Sequence, residues 1–316
     1  MGKKVLISVI VVTYNRCIFL KRMIDSIINQ KFRNYEIIIV NNGSNDETNL
    51  LLEKYIYKYR DFINVVNINN STISHARNVG LDVANGDYIA YVDDDDFCDR
   101  EYLNILYSLV NKYKCDIAIC DSKIIRNGKL EIKMFPDAEK IMSAREAIIE
   151  LLNRKFIKTG LPMKLVKKEL LDLFRFYDDK VYDDIFVCYK LIALANGVAY
   201  TSKPLYNIVR HGCNNSSFTD NFSLLTPLLL DEYIEAFQER LIFLKEIFPD
   251  LSAFFLYTNL SWMISMGYKI KLYKLENCSK HFEFFKNEIK SNILFLESNE
   301  NVKNFEKEWI RSILDE

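Results

Sequence analysis

The chain has 316 residues, enough for one large domain with an extension or for two domains, and 49% of them are hydrophobic, so a sizeable core is available. A formal net charge of −1 gives no general electrostatic case for nucleic acid, and abundant Tyr and Phe with few Gly and Pro argue against disorder and low complexity. The seven Cys are odd in number, form no CxxC and stand beside only three His, which fits reduced cytosolic thiols without a disulfide framework or a zinc site.

Lys3-Lys4 followed by Val5–Val12 briefly imitates a signal peptide, but the apolar run is short and ends at Thr-Tyr-Asn-Arg without a small-residue cleavage site. No stretch is long enough to span a membrane. Over the first 120 residues, short apolar runs at Ile7–Val12, Tyr35–Val40, Ile63–Ile68, Asp87–Val92 and Cys115–Cys120 read as strands. Helical spacing lies between them, as in Phe19, Leu20, Met23, Ile24, Ile27 and Ile28, and again in Tyr102, Leu103, Leu106, Tyr107 and Val110. The alternation predicts an α/β fold whose mostly parallel sheet is flanked by helices. Ligands of such sheets sit beyond the C-terminal strand ends, so the loops at Thr13–Arg16, Asn41–Thr48 and Asp93–Phe97 carry the interest.

Further on, Asn127-Gly128 between Lys123–Arg126 and Lys129–Met134 signals a type I′ hairpin. Ser143-Ala-Arg-Glu146 is a capping box opening a helix to about Asn153. Ile185–Ala195 reads as a buried helix stopped by Asn196-Gly197, and Val198–Thr201 and Leu205–Val209 as closing strands. From about Ser217 the pattern is helical: Leu224–Phe248, Leu251–Met266, then two charged helices. The expected domains are residues 1–216, with halves meeting near residue 120, and a helical extension over 217–316.

The densest signal is Asp93-Asp94-Asp95-Asp96, directly after a strand. Adjacent carboxylates repel unless a cation or a set of donors meets them. In extended backbone Asp93 and Asp95 share a side, and two hard oxygen ligands suit Mg²⁺ or Mn²⁺ with a diphosphate completing the shell. The plainer alternative is a solvated acidic loop capping the helix from Asp99.

Four segments then fall into one pattern: Ser8-Val-Ile-Val-Val-Thr-Tyr-Asn15 with Gln30; Tyr35-Glu-Ile-Ile-Ile-Val-Asn-Asn-Gly-Ser44 with Asp46 and Thr48; Ser74-His-Ala-Arg-Asn-Val-Gly80; and Gly86-Asp-Tyr-Ile-Ala-Tyr-Val-Asp-Asp-Asp-Asp-Phe97. Their order and spacing over residues 5–100 resemble the opening of family 2 glycosyltransferases. The resemblance implies a GT-A fold, a nucleotide-sugar donor, a divalent metal (Mn²⁺ or Mg²⁺) and inverting transfer of a hexosyl or N-acetylhexosaminyl group. It implies that Thr13, Tyr14 and Asn15 hold the base, with ordinary packing as the equal alternative for Tyr14, and that Arg77 reaches the nucleotide. Asp93 is implied to contact ribose or metal and Asp95 the metal, with Asp94 and Asp96 supporting the donor or capping. Asn41-Asn42 departs from the family's usual Asp-Asp. Asn42 still accepts from uracil through its carbonyl, which favours UDP but leaves cytosine and guanine nucleotides open.

Asp183-Asp184 matches the family's Glu-Asp, which implies Asp184 as the base that deprotonates the acceptor and Asp183 as its supporting acid. Helix capping is the alternative, and Asp178-Asp179 is a lower-ranked rival pair. In Leu205–Ser217, Arg210 and His211 are the candidates for diphosphate or metal contact; His75 and His281 carry no role, and Cys17, Cys98 and Cys213 lie near site loops without marks of a nucleophile. The implied acceptor is a glycan, a lipid-linked sugar or a glycoprotein, and the implied location is the cytoplasm, alone or at the inner face of the plasma membrane. The aromatic tail around Phe254, Phe255, Tyr257 and Trp262 suits packing first, then a homodimer or a membrane surface. Two rivals are a nucleotidyltransferase, disfavoured because the loop after the first strand lacks glycine, and a non-catalytic GT-A module that binds nucleotide-sugar as a scaffold.

Overall fold

A computed structural model describes residues 4–131, 138–212, 214 and 221–315. The chain divides into two compact units, Met1–His211 and Gly212–Glu316.

The first unit runs β1 (Ile7–Thr13), α1 (Cys17–Ile28), β2 (Tyr35–Asn42), α2 (Thr48–Tyr59), β3 (Ile63–Ile68), α3 (Ile73–Asp82), β4 (Tyr88–Tyr91), β5 (Phe97–Cys98), α4 (Tyr102–Tyr113), β6 (Ile117–Arg126), β7 (Lys129–Glu131), β8 (Glu139–Met142), α5 (Ala144–Leu152), β9 (Lys164–Lys167), α6 (Lys168–Leu171), α7 (Asp184–Leu194) and β10 (Val198–Arg210). The sheet order is β3-β2-β1-β4-β9-β6-β10-β5, with β7 beside β6 and β8 beside β10. β3, β2, β1 and β4 are mutually parallel. Their β-branched residues alternate between two buried faces. Val9, Val11, Ile37 and Ile39 join the core that holds Leu20, Met23, Ile24 and Ile27 of α1 and Leu103 and Leu106 of α4. Each fully buried aliphatic side chain stabilises the fold by roughly 1.5–3 kcal/mol. On the other face α3 lies so close to β1 that a Cβ at Gly80 would come 2.5 Å from Ile10 Cγ2, so only glycine fits there. That close approach fixes α3, and with it Arg77 one turn earlier.

Several elements depart from expectation. β9 runs antiparallel to both β4 and β6 and separates them. Its Lys-Leu-Val-Lys sequence is too short to show a period. The two expected closing strands are one strand, β10, whose register against β6 shifts between Thr201 and Tyr206. Pro204 lacks the N–H that a regular ladder would use there. The hairpin forms with Asn127 at φ 50 and Gly128 at φ 72, both left-handed as a type I′ turn demands. Its expected continuation over residues 132–134 lies outside the described residues, as does Cys213. The capping box is present: Ser143 Oγ accepts from Glu146 N–H at 3.3 Å and Glu146 Oε2 from Ser143 N–H at 2.8 Å.

The second unit contains α8 (Pro227–Ile247), α9 (Ser252–Tyr273), α10 (Ser279–Ser291), α11 (Ile293–Ser298) and α12 (Asn304–Leu314). Thr226 caps α8 and Pro227 occupies its first turn. α9 extends past the expected Met266, and three helices rather than two follow it. Buried Glu306 joins α12 to α9 by accepting from Tyr257 Oη at 3.0 Å and Ser261 Oγ at 2.5 Å. Among the described residues no helix is long and apolar enough to cross a membrane.

Candidate active site

The loops after β1 and β2 are tied together. Asn15, left-handed at φ 52, donates its N–H to Ser44 Oγ at 3.0 Å, and its side-chain carbonyl accepts from Asn45 N–H at 2.9 Å. Thr13 is buried below this loop and Tyr14 is exposed beside it. Asn41 donates to Asn49 Oδ1 at 2.6 Å and to Asn67 Oδ1 at 2.9 Å, bonds that an aspartate could not supply. Asn42 Oδ1 accepts from both Ser71 N–H (2.9 Å) and Ser71 Oγ (3.0 Å), while its amide donates to Ser71 O at 2.8 Å. Both lone pairs of the Asn42 carbonyl are thus engaged, which leaves it no acceptor for a base edge in this conformation. The Asn-Asn departure serves this internal network. Gly43, at φ +78 and with Asn70 N 2.6 Å from where its Cβ would stand, permits the turn.

The Asp quartet is held, not loosely solvated. Asp93 N–H donates to Tyr206 Oη at 3.1 Å, and Asp96 Oδ1 accepts from Val209 N–H at 2.7 Å. The Asp95 carbonyl accepts from Arg22, whose guanidinium lies over the Phe97 ring. Asp95 and Asp96 are buried. Asp95 Oδ2 lies 3.0 Å from His211 Nε2 and 3.8 Å from Arg16. His211 stacks on Phe19 at 4.4 Å. The following helix is served by Asp99, whose Oδ1 accepts from Glu101 N–H at 2.9 Å. Crowding perturbs the quartet. Asp93, although solvent reaches 44% of its side chain, is pushed up to about 6 by desolvation and by Asp95, Asp184 and Asp183, against Arg77. Asp94 is pushed up to about 7 by burial, with Thr13 and Arg16 opposing Asp95 and Asp93. Asp96 rises to about 8, by burial first and then by Asp93 and Asp95.

The second carboxylate pair comes to the same place. Arg77 Nη1 meets Asp183 Oδ1 at 2.5 Å and Arg77 Nη2 lies 3.6 Å from Asp93 Oδ1, so one buried guanidinium spans both clusters. Tyr91 and Phe176 flank it at 5.8 and 5.9 Å. Its pKa is raised although burial opposes its charge, because Asp183, Asp93 and Asp184 favour it. Arg77, expected at the nucleotide, contacts these carboxylates. Asp183 precedes α7 but makes no side-chain capping bond, and among the described residues its Oδ2 has no hydrogen-bond partner. Capping therefore does not account for Asp183. Asp184 opens α7; burial chiefly, then Asp183, raise its pKa against Arg77 and Lys164. Asp178 instead accepts from Asn78 Nδ2 at 2.9 Å on a largely exposed loop, and Asp179 is exposed. Arg210 ends β10 opposite Arg126.

The family model described as Glycosyl transferase family 2 matches residues 8–175, more than half of the chain. The chain belongs to this family. It is a glycosyltransferase with a GT-A fold. Similar proteins include glycosyltransferase GlyA of Streptococcus pneumoniae, 29% identical over 76% of this chain and 35% of its own length. The cholesterol galactosyltransferase of Borreliella burgdorferi is 27% identical over 85% of this chain and 80% of its own. The chain therefore spans about a third of the former and most of the latter. Among solved structures, Staphylococcus aureus TarS 1-349 in complex with UDP-GlcNAc aligns with a TM-score of 0.65 at 22% identity, over 98% of this chain and 79% of that one.

Within this family 2 site, sequence reasoning passed over Arg16, Phe19, Arg22, Tyr206 and Lys164. Arg16 and Tyr206 lie inside segments singled out above but were given no role there, and Arg22 and Lys164 lie outside them. Phe19 was read only as part of the apolar spacing of α1, and Arg22 stands on its solvent-facing side, where nothing local marks it. Among the described residues no three His, Cys, Asp or Glu side chains converge on one point. Asp93 and Asp95 supply hard oxygen donors of the kind that a Mg²⁺ or Mn²⁺ ion takes when a diphosphate fills the rest of its shell.

Proposed function

We propose that the protein transfers a hexosyl or N-acetylhexosaminyl group, with inversion, from a UDP-sugar to a hydroxyl of a surface-glycan, lipid-linked or protein-linked acceptor. The observation that carries this reading is the Arg77 bridge, which joins Asp183 at 2.5 Å to Asp93 at 3.6 Å beyond the strand ends. An inverting displacement needs a base on one side of the sugar carbon and a charge-neutralised leaving group on the other, in one pocket. Asp184 is the base. Its raised pKa suits proton abstraction from an acceptor hydroxyl. Asp183 and Arg77 orient it. Asp93 and Asp95 would hold Mn²⁺ or Mg²⁺, which when bound offsets diphosphate charge, and His211 beside Asp95 is a further phosphate contact. Arg16 and Arg210 are the cations for the phosphates. Related proteins support the donor: Staphylococcus aureus TarS has been crystallised with UDP-GlcNAc, and the Borreliella burgdorferi relative is a cholesterol galactosyltransferase. With the Asn42 carbonyl engaged, base choice falls to the backbone of residues 13–15 and the Tyr14 ring.

Calorimetric titration with UDP, GDP, CDP and dTDP, each with Mn²⁺ and with EDTA, tests the reading. UDP binding that needs metal and disappears in Asp95→Ala is the expected result. Metal-independent binding, or binding by none of the four, overturns it.

A further inference from the structure

Lys164 belongs to none of the motifs above, yet only 2% of it is exposed. It is the first residue of β9. The antiparallel register pairs Tyr88 with Lys167 and Ile89 with Val166; continued two residues, it brings Lys164 level with Tyr91, just before the Asp quartet. The ammonium donates to Lys158 O at 2.7 Å and to Gly160 O. Those carbonyls belong to the loop between α5 and β9, which lies along the face of α7 that carries Asp184. A Cβ at Gly160 would stand 3.6 Å from Asp184 Oδ2. One turn on, Cys188 Sγ lies 4.0 Å from Lys158 O. The same loop ends at buried Met163, held left-handed at φ 74 while its carbonyl accepts from Cys120 N–H at 3.0 Å. A buried ammonium is costly unless its donors and its charge are both met, and an apolar side chain would fill the same space without that cost. The carbonyls of Lys158 and Gly160 meet two of the donors, and Asp184 stands beside the same loop.

We propose that Lys164 is a positioning residue for sugar transfer: it fastens the 158–160 loop as a wall beside Asp184. The proposal rests on the reading of Asp184 as the base. Electrostatics agree with the geometry. Lys164 opposes the burial-driven rise of Asp184, and it opposes the same rise in the Cys188 thiol. Asp184 also faces Asp183 and Arg77, and it adds to the rise at Asp93, so Lys164 is one of two cations acting on it.

The test uses the full chain with Lys164→Met and Gly160→Ala. Hydrogen exchange, which needs no substrate, should show residues 156–162 losing protection in Lys164→Met while β1 and β2 keep theirs. UDP release from UDP-GlcNAc, UDP-glucose and UDP-galactose, with water as acceptor, is then followed from pH 5 to 9. Lys164→Met should move the acid limb to higher pH; a limb moved by about one unit makes the loss about tenfold larger below it than above it. Gly160→Ala, whose methyl meets only ordinary contact, keeps both Lys164 bonds to the loop and should leave the limb where it is. Unchanged exchange or an unmoved limb in Lys164→Met, or a limb moved equally by Gly160→Ala, overturns the proposal. If the wild type releases UDP from no donor, the reading of Asp184 fails, and hydrogen exchange alone decides whether Lys164 fastens the loop.

Discussion

Arg77→Met removes the charge that spans the two carboxylate clusters and keeps most of the side-chain stem. Arg77 and Asp183 expose only 8% and 4% of their side chains, so their pairing is that of a buried ion pair. Removing one partner of such a pair costs about 3–5 kcal/mol, most of it the penalty of an uncompensated buried charge. Asp183 is badly placed to find a substitute, because its Oδ2 already lacks a partner among the described residues. That cost includes the loss of the contacts over Tyr91 and Phe176. Arg77→Met should therefore lower the stability of the first unit by about 3–5 kcal/mol. Asp183→Asn in the same chain should return part of that loss by removing the stranded charge. Urea unfolding followed by far-UV circular dichroism measures it. Both tryptophans, Trp262 and Trp309, lie in the helical unit, so their fluorescence reports that unit separately. A loss below about 1 kcal/mol, or a double variant no better than Arg77→Met, would refute the claim that this is a buried, mutually dependent pair.

Asp184→Asn should bind UDP as the wild type does and lose about 10²- to 10⁴-fold in transfer rate, read by UDP release; full activity would remove Asp184 from the chemistry. Asp96 makes a pH prediction. Its folded carboxyl, raised to about 8, holds a proton more tightly than the unfolded chain does, so the wild type loses stability as pH climbs from about 4 to 8. Asp96→Asn keeps an acceptor for Val209 N–H and removes that charge. It should be more stable than wild type by about 1–3 kcal/mol at pH 8 and equal to it at pH 4, by thermal or urea unfolding without metal. In the helical unit, Glu306→Ala deletes an N-terminal cap and the bonds from Tyr257 and Ser261. It should cost about 2–4 kcal/mol, seen as an earlier tryptophan transition; an unmoved midpoint would mean that these bonds contribute nothing net.

The parallel half of the sheet was legible because its signals are local. Ile7–Thr13 and Tyr35–Asn42 are β-branched runs long enough to identify a strand, and Asn127-Gly128 and Ser143–Glu146 encode their turn and cap within four residues. The carboxylate clusters were legible for the same reason: adjacent like charges after a strand or before a helix announce themselves in sequence. What only the tertiary structure decided is pairing across distance. Arg77 and Asp183 stand 106 positions apart, as do Ser74 and Lys180, whose carbonyl accepts from the serine. Nothing local marks Arg77 as a partner of Asp183. The engagement of Asn42 by Ser71 is equally non-local, and so is the antiparallel course of β9, whose four residues carry no period of their own. Lys164 became visible only through that strand. A lysine in sequence reads as a solvated surface charge, and it is the register of β9 between β4 and β6 that buries this one at the edge where the carboxylates meet.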